Sequence, residues 1–286
     1  MIGDLGPSHN LVFGGTGLVG SHVVRQLASS GERPFVLSRS QKVASDAIWL
    51  RGDLKLPEAL QLPVVSTLYC TADATLLPAA LPFIFKGSLK RVVVFSSTSV
   101  LTKIDSEIPE ERAVLSKLAE AERGIVAACS QRGVAWTILR PTLIYEEGRD
   151  ANLTPLSRII KRFGVMPLVG AASGLRQPVH AQDLAIGAIA AARSEAAANK
   201  FYSLPGAETL TYREMIGRVF DSLNKPRRFI SLPAPVWKAG FAIAKPLLPS
   251  YANAAMGTRM MKDMVFDATP AIRDFGWKAR RFNPHF

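Results

Sequence analysis

A glycine-rich loop near the start of the chain limits its possible folds more than any other feature. Gly14-Gly15-Thr16-Gly17-Leu18-Val19-Gly20 follows the apolar run Leu11-Val12-Phe13 and precedes His22-Val23-Val24-Arg25-Gln26-Leu27, which reads as a helix. Strand, glycine turn and helix is how an α/β sheet offers a helix N-terminus to a pyrophosphate. The glycines at 14, 17 and 20 divide the work. One permits the tight turn, one lets the backbone approach phosphate, and one lets helix and strand pack closely. Gly14, Thr16, Gly17, Leu18, Val19 and Gly20 are therefore expected to cradle a dinucleotide.

The rest of the chain extends this pattern. Runs rich in β-formers fall at 11–13, 34–37, 47–50, 64–69, 91–95, 136–139 and 201–204, and helical patterns at 21–30, 76–85, 110–131 and 181–193 alternate with them. Such alternation predicts βαβ units and a parallel sheet. The expectation is a Rossmann-like, doubly wound α/β sheet formed by residues 1–148 and 178–204. Residues 149–177 and 205–286 would form a smaller substrate-binding lobe. In that lobe Thr211-Tyr212-Arg213-Glu214 reads as a capping box that opens a helix reaching about Leu223.

Composition narrows the class. Cys70 and Cys129 are the two cysteines, far apart in sequence, which excludes a disulfide framework and points to a reducing compartment. Met1–Asn10 has no basic cluster and no apolar core, and no apolar run approaches a bilayer's thickness, so a cytoplasmic protein is expected. The net charge of +12 is uneven. Residues 1–150 hold 16 Lys and Arg against 15 Asp and Glu, whereas residues 151–286 hold 19 against 8. That field favours an anionic partner: a nucleotide diphosphate, an anionic membrane surface or a nucleic acid. The basic residues are scattered and form no recognition helix, so nucleic acid is not expected. The segment 235–246, with Trp237, Phe241 and Ala244 on one face and Lys238 and Lys245 beside it, reads either as a packed lobe helix or as a peripheral membrane contact.

The ends of the strands carry the chemistry. A carboxylate about 20 residues beyond the loop would bind the ribose hydroxyls of NAD. Here the second strand ends Ser38-Arg39-Ser40, with Lys42 nearby. A guanidinium among hydroxyls suits a 2′-phosphate, so NADP is preferred to NAD. Asp53, beside Leu54, can accept from an adenine amino group. Cys70, Thr71 and Ala72 are small enough to let a cofactor lie across the fourth strand. The fifth strand ends Ser96-Ser97-Thr98-Ser99, a hydroxyl cluster able to hold a substrate oxygen or to satisfy loop amides.

These residues, with Lys117-Leu118-Ala119-Glu120, Leu139-Arg140-Pro141-Thr142, Ile144-Tyr145 and Val179-His180-Ala181-Gln182-Asp183, resemble the extended or atypical short-chain dehydrogenase/reductases. The similarity is to the branch of NAD(P)-dependent nucleotide-sugar epimerases and dehydratases, and it covers nearly the whole chain. It implies a catalytic group of Ser or Thr with Tyr-x-x-x-Lys, in which Tyr is the acid/base and Lys lowers its pKa and binds the nicotinamide ribose. Ser97 and Lys117 match, but Ala113 stands where the Tyr would be, and a methyl group cannot transfer a proton. Tyr145-Glu146-Glu147 also departs from the usual Tyr-Gly. Three accounts stay open. Another group, Tyr145 first and then His180 or Glu146, supplies the proton. Lys117 works through an ordered water. Or the chain binds NADP without turnover, as a scaffold or redox sensor. The leading expectation is an NADP-dependent oxidoreductase acting on a carbonyl or hydroxyl of an anionic nucleotide- or lipid-linked sugar. Family members pair through the helix carrying Lys117, and the helical pattern does not separate a homodimer face from core packing.

Overall fold

The computed structural model describes residues 9–40, 46–102, 108–244, 257 and 259–286. Lys42 and Lys245 lie outside the described residues, as do the side chains of Lys238, Phe241 and Ala244. Seven strands form one parallel sheet: β1 (Asn10–Phe13), β2 (Phe35–Ser38), β3 (Ile48–Arg51), β4 (Thr67–Cys70), β5 (Arg91–Phe95), β6 (Ala135–Pro141) and, near its end, Lys200–Leu204. The last of these pairs with β6 at one edge, and the order from the other edge is β3-β2-β1-β4-β5-β6. The chain changes winding direction between β1 and β4, and in open sheets of this kind ligands bind at the carboxyl ends of the strands beside that point.

The strand sequences explain the layering. All four residues of β1 and all five of β5 are buried, as uninterrupted apolar strands covered on both faces must be. On one face Leu11, Phe13, Leu68, Val92, Val94 and Ile138 pack with helix α2 (Leu77–Ile84) and with the long helix that follows β5. A short helix, α3 (Ser99–Thr102), precedes that long helix, α4 (Pro109–Gln131). Pro109 sits in the first turn of α4, where its missing N–H is no loss. On the other face α1 (Gly20–Ser29) buries Val23, Val24 and Leu27.

Two compact units emerge. The sheet unit comprises Met1–Pro141, Ala181–Leu204 and Asp267–Lys278; the second comprises Thr142–His180, Pro205–Phe266 and Ala279–Phe286. The structure differs from the sequence reading at 142–148 and 178–180, which fall in the second unit and not the sheet unit, and at 267–278, a stretch assigned there to the smaller lobe. Its helix, Thr269–Phe275, leads to Trp277, whose ring lies against Gly187. Asp274 accepts from Lys200 Nζ at 2.9 Å and from Tyr202 Oη at 2.6 Å. These contacts join it to the sheet unit.

Among the described residues the second unit has no large sheet. Its strands pair in twos: β7 (Ile144–Tyr145) with β10 (Val179–His180), β8 (Met166–Val169) with β13 (Phe229–Leu232), and β9 (Leu175–Arg176) with β12 (Leu210–Thr211). The sheet-unit strand Lys200–Leu204 is β11 in this numbering, and α6 (Ala181–Arg193) precedes it. Helices α5 (Thr154–Phe163) and α7 (Tyr212–Ser222) share a core of Leu153, Ile160, Leu168, Ile216, Phe220 and Phe282. Thr211 Oγ1 caps α7 by accepting from Glu214 N–H at 3.0 Å. The other half of the expected box is diverted: the Glu214 carboxylate turns to Arg227 at 2.9 Å and to Arg218 at 3.6 Å.

Candidate functional site

The glycine loop is held against the end of β4. Gly14 has φ +77°, a left-handed conformation that favours glycine. A Cβ there would come within 2.6 Å of Ala72 N, and one on Gly20 would collide with the Gly14 carbonyl and Thr71 Oγ1. The turn closes with Gly17 N–H on the Gly14 carbonyl at 2.8 Å. Thr71 clamps it from the neighbouring strand, its hydroxyl donating to the Phe13 carbonyl at 2.8 Å. Thr71 was expected to meet the cofactor; its side chain instead braces the loop. The N-terminus of α1 has no side-chain cap and no acidic residue in its first turn. Its positive dipole end is thus left for an anion.

Beside the loop lies a cleft of about 710 Å³. Gly14, Thr16, Ser38, Arg39, Asp53, Leu54 and Ala72 all line it. Gly17, Leu18, Val19 and Gly20 form the turn and the start of α1 next to it. Arg39 is exposed, and among the described residues it makes no ion pair. Lys55, unremarked in the sequence, brings a second cation. Asp53 accepts from Lys55 N–H at 3.0 Å, and Asp73 from Thr75 N–H at 3.0 Å, so both carboxylates also shape their own turns. Cys70 does not face the cleft. It is fully buried among the core residues, and burial pushes its thiol up to about 12. An uncapped helix end and a turn that admits no Cβ at Gly14 or Gly20 together fit the diphosphate of a dinucleotide.

The other expected residues lie elsewhere. Ser97, at the carboxyl end of β5, accepts from Ser99 N–H at 3.1 Å. Its neighbour Ser96, part of the same hydroxyl cluster in the sequence, has a buried hydroxyl with no hydrogen-bond partner. Lys117 and Ala113 are one turn apart on the exposed side of α4, and Lys117 makes no ion pair among the described residues. Tyr145 belongs to the second unit. It is 1% exposed and packs edge-to-face against His180 and Phe282, with ring centroids 5.1 and 5.0 Å away. Those surroundings are a core, so the geometry gives this ring a packing role and not open access to a reacting atom. Glu147 lies 3.7 Å from His180 Nε2 and accepts from His285 N–H at 3.1 Å. Burial opposes its ionisation, but the His180 hydrogen bond and the backbone amides of Glu147 and His285 outweigh it and hold the carboxyl at about 2.

No family model matches the chain. It is 27% identical over 257 residues to the Arabidopsis thaliana protein named NADH dehydrogenase [ubiquinone] 1 alpha subcomplex subunit 9, mitochondrial; the match covers 80% of this chain and 61% of that protein's length. It is 24% identical over 265 residues to UDP-glucose 4-epimerase of Vibrio cholerae, covering 81% of this chain and 80% of that one. Among solved structures it resembles UDP-glucose 4-epimerase with UDP-glucose from Thermotoga maritima, at TM-score 0.68 and 15% identity over 95% of this chain and 93% of that one. It also resembles UDP-glucuronic acid 4-epimerase from Bacillus cereus with UDP-glucuronic acid and NAD, at TM-score 0.71 and 14% identity over 95% and 94%. The similarity that the motifs carry is thus met by the relatives and by the fold.

Proposed function

We propose that this chain, an extended short-chain dehydrogenase/reductase in its motifs and fold, binds NADP and acts on a carbonyl or hydroxyl of a nucleotide-linked sugar. The observation that carries the cofactor preference is Arg39. It stands unpaired in the cleft at the end of β2, where a carboxylate would repel a 2′-phosphate. Lys55 adds to the same field. The bound nicotinamide would supply or accept the hydride.

The chain's own groups do the rest. Ser97, at the carboxyl end of β5, holds the reacting oxygen. Lys117 holds the nicotinamide ribose and, with Ala113 in the tyrosine position, passes the proton through a water. Tyr145 is not needed for this route. The substrate class rests on the relatives named for UDP-sugars and on the excess of basic residues after position 150.

Titration of the protein with NADPH and NADH, followed by nicotinamide fluorescence, tests the cofactor reading. NADPH is expected to bind tighter, and Arg39→Ala to weaken NADPH about 10- to 100-fold while leaving NADH unchanged. Equal loss for both would refute the 2′-phosphate role. With a sugar substrate in hand, Lys117→Ala should cut turnover by about 10²- to 10⁴-fold. Intact NADPH binding with no turnover on any keto-sugar would leave a binder without catalysis.

A further inference from the structure

Helix α5 presents a surface that the proposed reaction does not use. Its start is firmly built: the Asp150 carboxylate accepts from Asn152 N–H and from Thr154 Oγ1, each at 2.7 Å. Its end is set by Gly164 at φ +67°. Between them Ser157 and Ile160 turn inward with Leu153. The outward arc then divides. Lys161, Arg158 and Arg162 occupy one side, and Ile159 and Phe163 the other, 38% and 63% exposed. Arg162 lies 5.3 Å from the centre of the Phe163 ring.

Several arginines elsewhere in the second unit are ion-paired. Arg149, Arg218 and Arg227 each meet a carboxylate within 3 Å. Among the described residues Arg158, Lys161 and Arg162 meet none, and α5 contains no Asp or Glu. Exposed Arg228 adds a fourth cation close by: its carbonyl accepts from Met166 N–H at 3.0 Å, three residues beyond Phe163. Lys225 Nζ fixes the same corner by donating to the Lys161 carbonyl at 2.9 Å. Cations at a helix C-terminus complement its dipole, which accounts for Lys161 and Arg162. It does not account for Arg158, or for a phenyl ring and an isoleucine left in water beside them.

We infer that this face docks on a bilayer surface rich in anionic lipid. Lys161, Arg158, Arg162 and Arg228 would meet lipid phosphates, while Phe163 and Ile159 enter the boundary between headgroups and acyl chains. The apolar half of the arc favours lipid over nucleic acid, which has no use for an aliphatic side chain among its phosphates. No helix among the described residues is long and apolar enough to cross a membrane, so the contact is peripheral. The segment 235–246 read in the sequence either as a packed lobe helix or as a membrane contact, and there Trp237 packs against Gly257 beside Val169.

Co-sedimentation of the full chain with vesicles tests this. The vesicles are phosphatidylcholine alone, or phosphatidylcholine with about one third phosphatidylglycerol. The wild type should bind only the anionic vesicles. The combined variant Arg158→Glu, Lys161→Glu, Arg162→Glu should lose at least about 10-fold in partitioning. Phe163→Ser should lose a few-fold, and Phe163→Trp should shift its emission to the blue on anionic vesicles. Hydrogen exchange across 153–169 in every variant checks that the second unit is intact. Absence of binding to anionic vesicles overturns the inference. So does binding that the triple variant retains, or binding to duplex DNA that Phe163→Ser leaves unchanged and that competes with vesicles.

Discussion

The two units solve the same problem by different means. The sheet unit is assembled from short apolar strands and the helices that cover them, so its stability is spread over many ordinary contacts such as those of Leu11, Val94 and Ile138. The second unit has only paired strands, and polar clasps between distant parts of the chain join them. Arg176, 5% exposed, donates to the carbonyls of Leu175 and Lys262 at 2.7 Å each, and to that of Arg259. Gln177 Oε1 accepts from Phe266 N–H at 2.8 Å, and Glu208 from Phe282 N–H at 2.9 Å. A core of dispersed contacts tolerates the loss of one; a clasp does not.

Arg176→Met should therefore give the largest effect. It removes three hydrogen bonds, leaving the Leu175 carbonyl to Met264 N–H and that of Arg259 to Lys262 N–H, and is expected to destabilise the second unit by about 3 kcal/mol. Hydrogen exchange should rise in 166–180 and 257–266 while NADPH binding by the sheet unit persists. Uniform exchange across both units would break the contrast. Gly20→Ala comes next, at about 1–3 kcal/mol, because the new methyl meets the Gly14 carbonyl and Thr71 Oγ1. Here NADPH titration should fail while the second unit keeps its exchange protection. Glu147→Gln is the smallest. The Glu147 carboxyl sits at about 2, below its unfolded value, so its contribution is complete above about pH 4.3 and fades as pH falls toward 2. Thermal melts should show the wild type losing more stability than the variant between about pH 5 and pH 3. Parallel curves would mean that Glu147 is not such a clasp.

The same contrast decides what could be read from the chain. The strands of the sheet unit and its glycine loop are local patterns, and they appear close to where they were expected; β5 spans Arg91–Phe95 in both. The residues that line the cleft were legible because each follows a strand. The side-chain directions of Cys70 and Thr71 were not legible, because the core and the hydroxyl bond to the Phe13 carbonyl decide them. Lys55 gave no local signal, and the burial of the Ser96 hydroxyl could not be read from the cluster it belongs to. In the second unit Arg176 and the carbonyls of Arg259 and Lys262 are more than 80 residues apart in sequence, and α5 was hidden inside a stretch read only as part of the smaller lobe.

The interleaving of the two units bears on how the protein is made. The sheet unit needs Trp277 and Asp274, and the second needs Phe282 and His285. A ribosome delivers residues in order, at about 5–20 per second. The earliest-made strands, β1 to β5, must wait roughly ten seconds or more for the segments that complete them. During that interval β6 lacks β11 as its neighbour, and its unpaired edge is the surface that a chaperone would have most reason to cover.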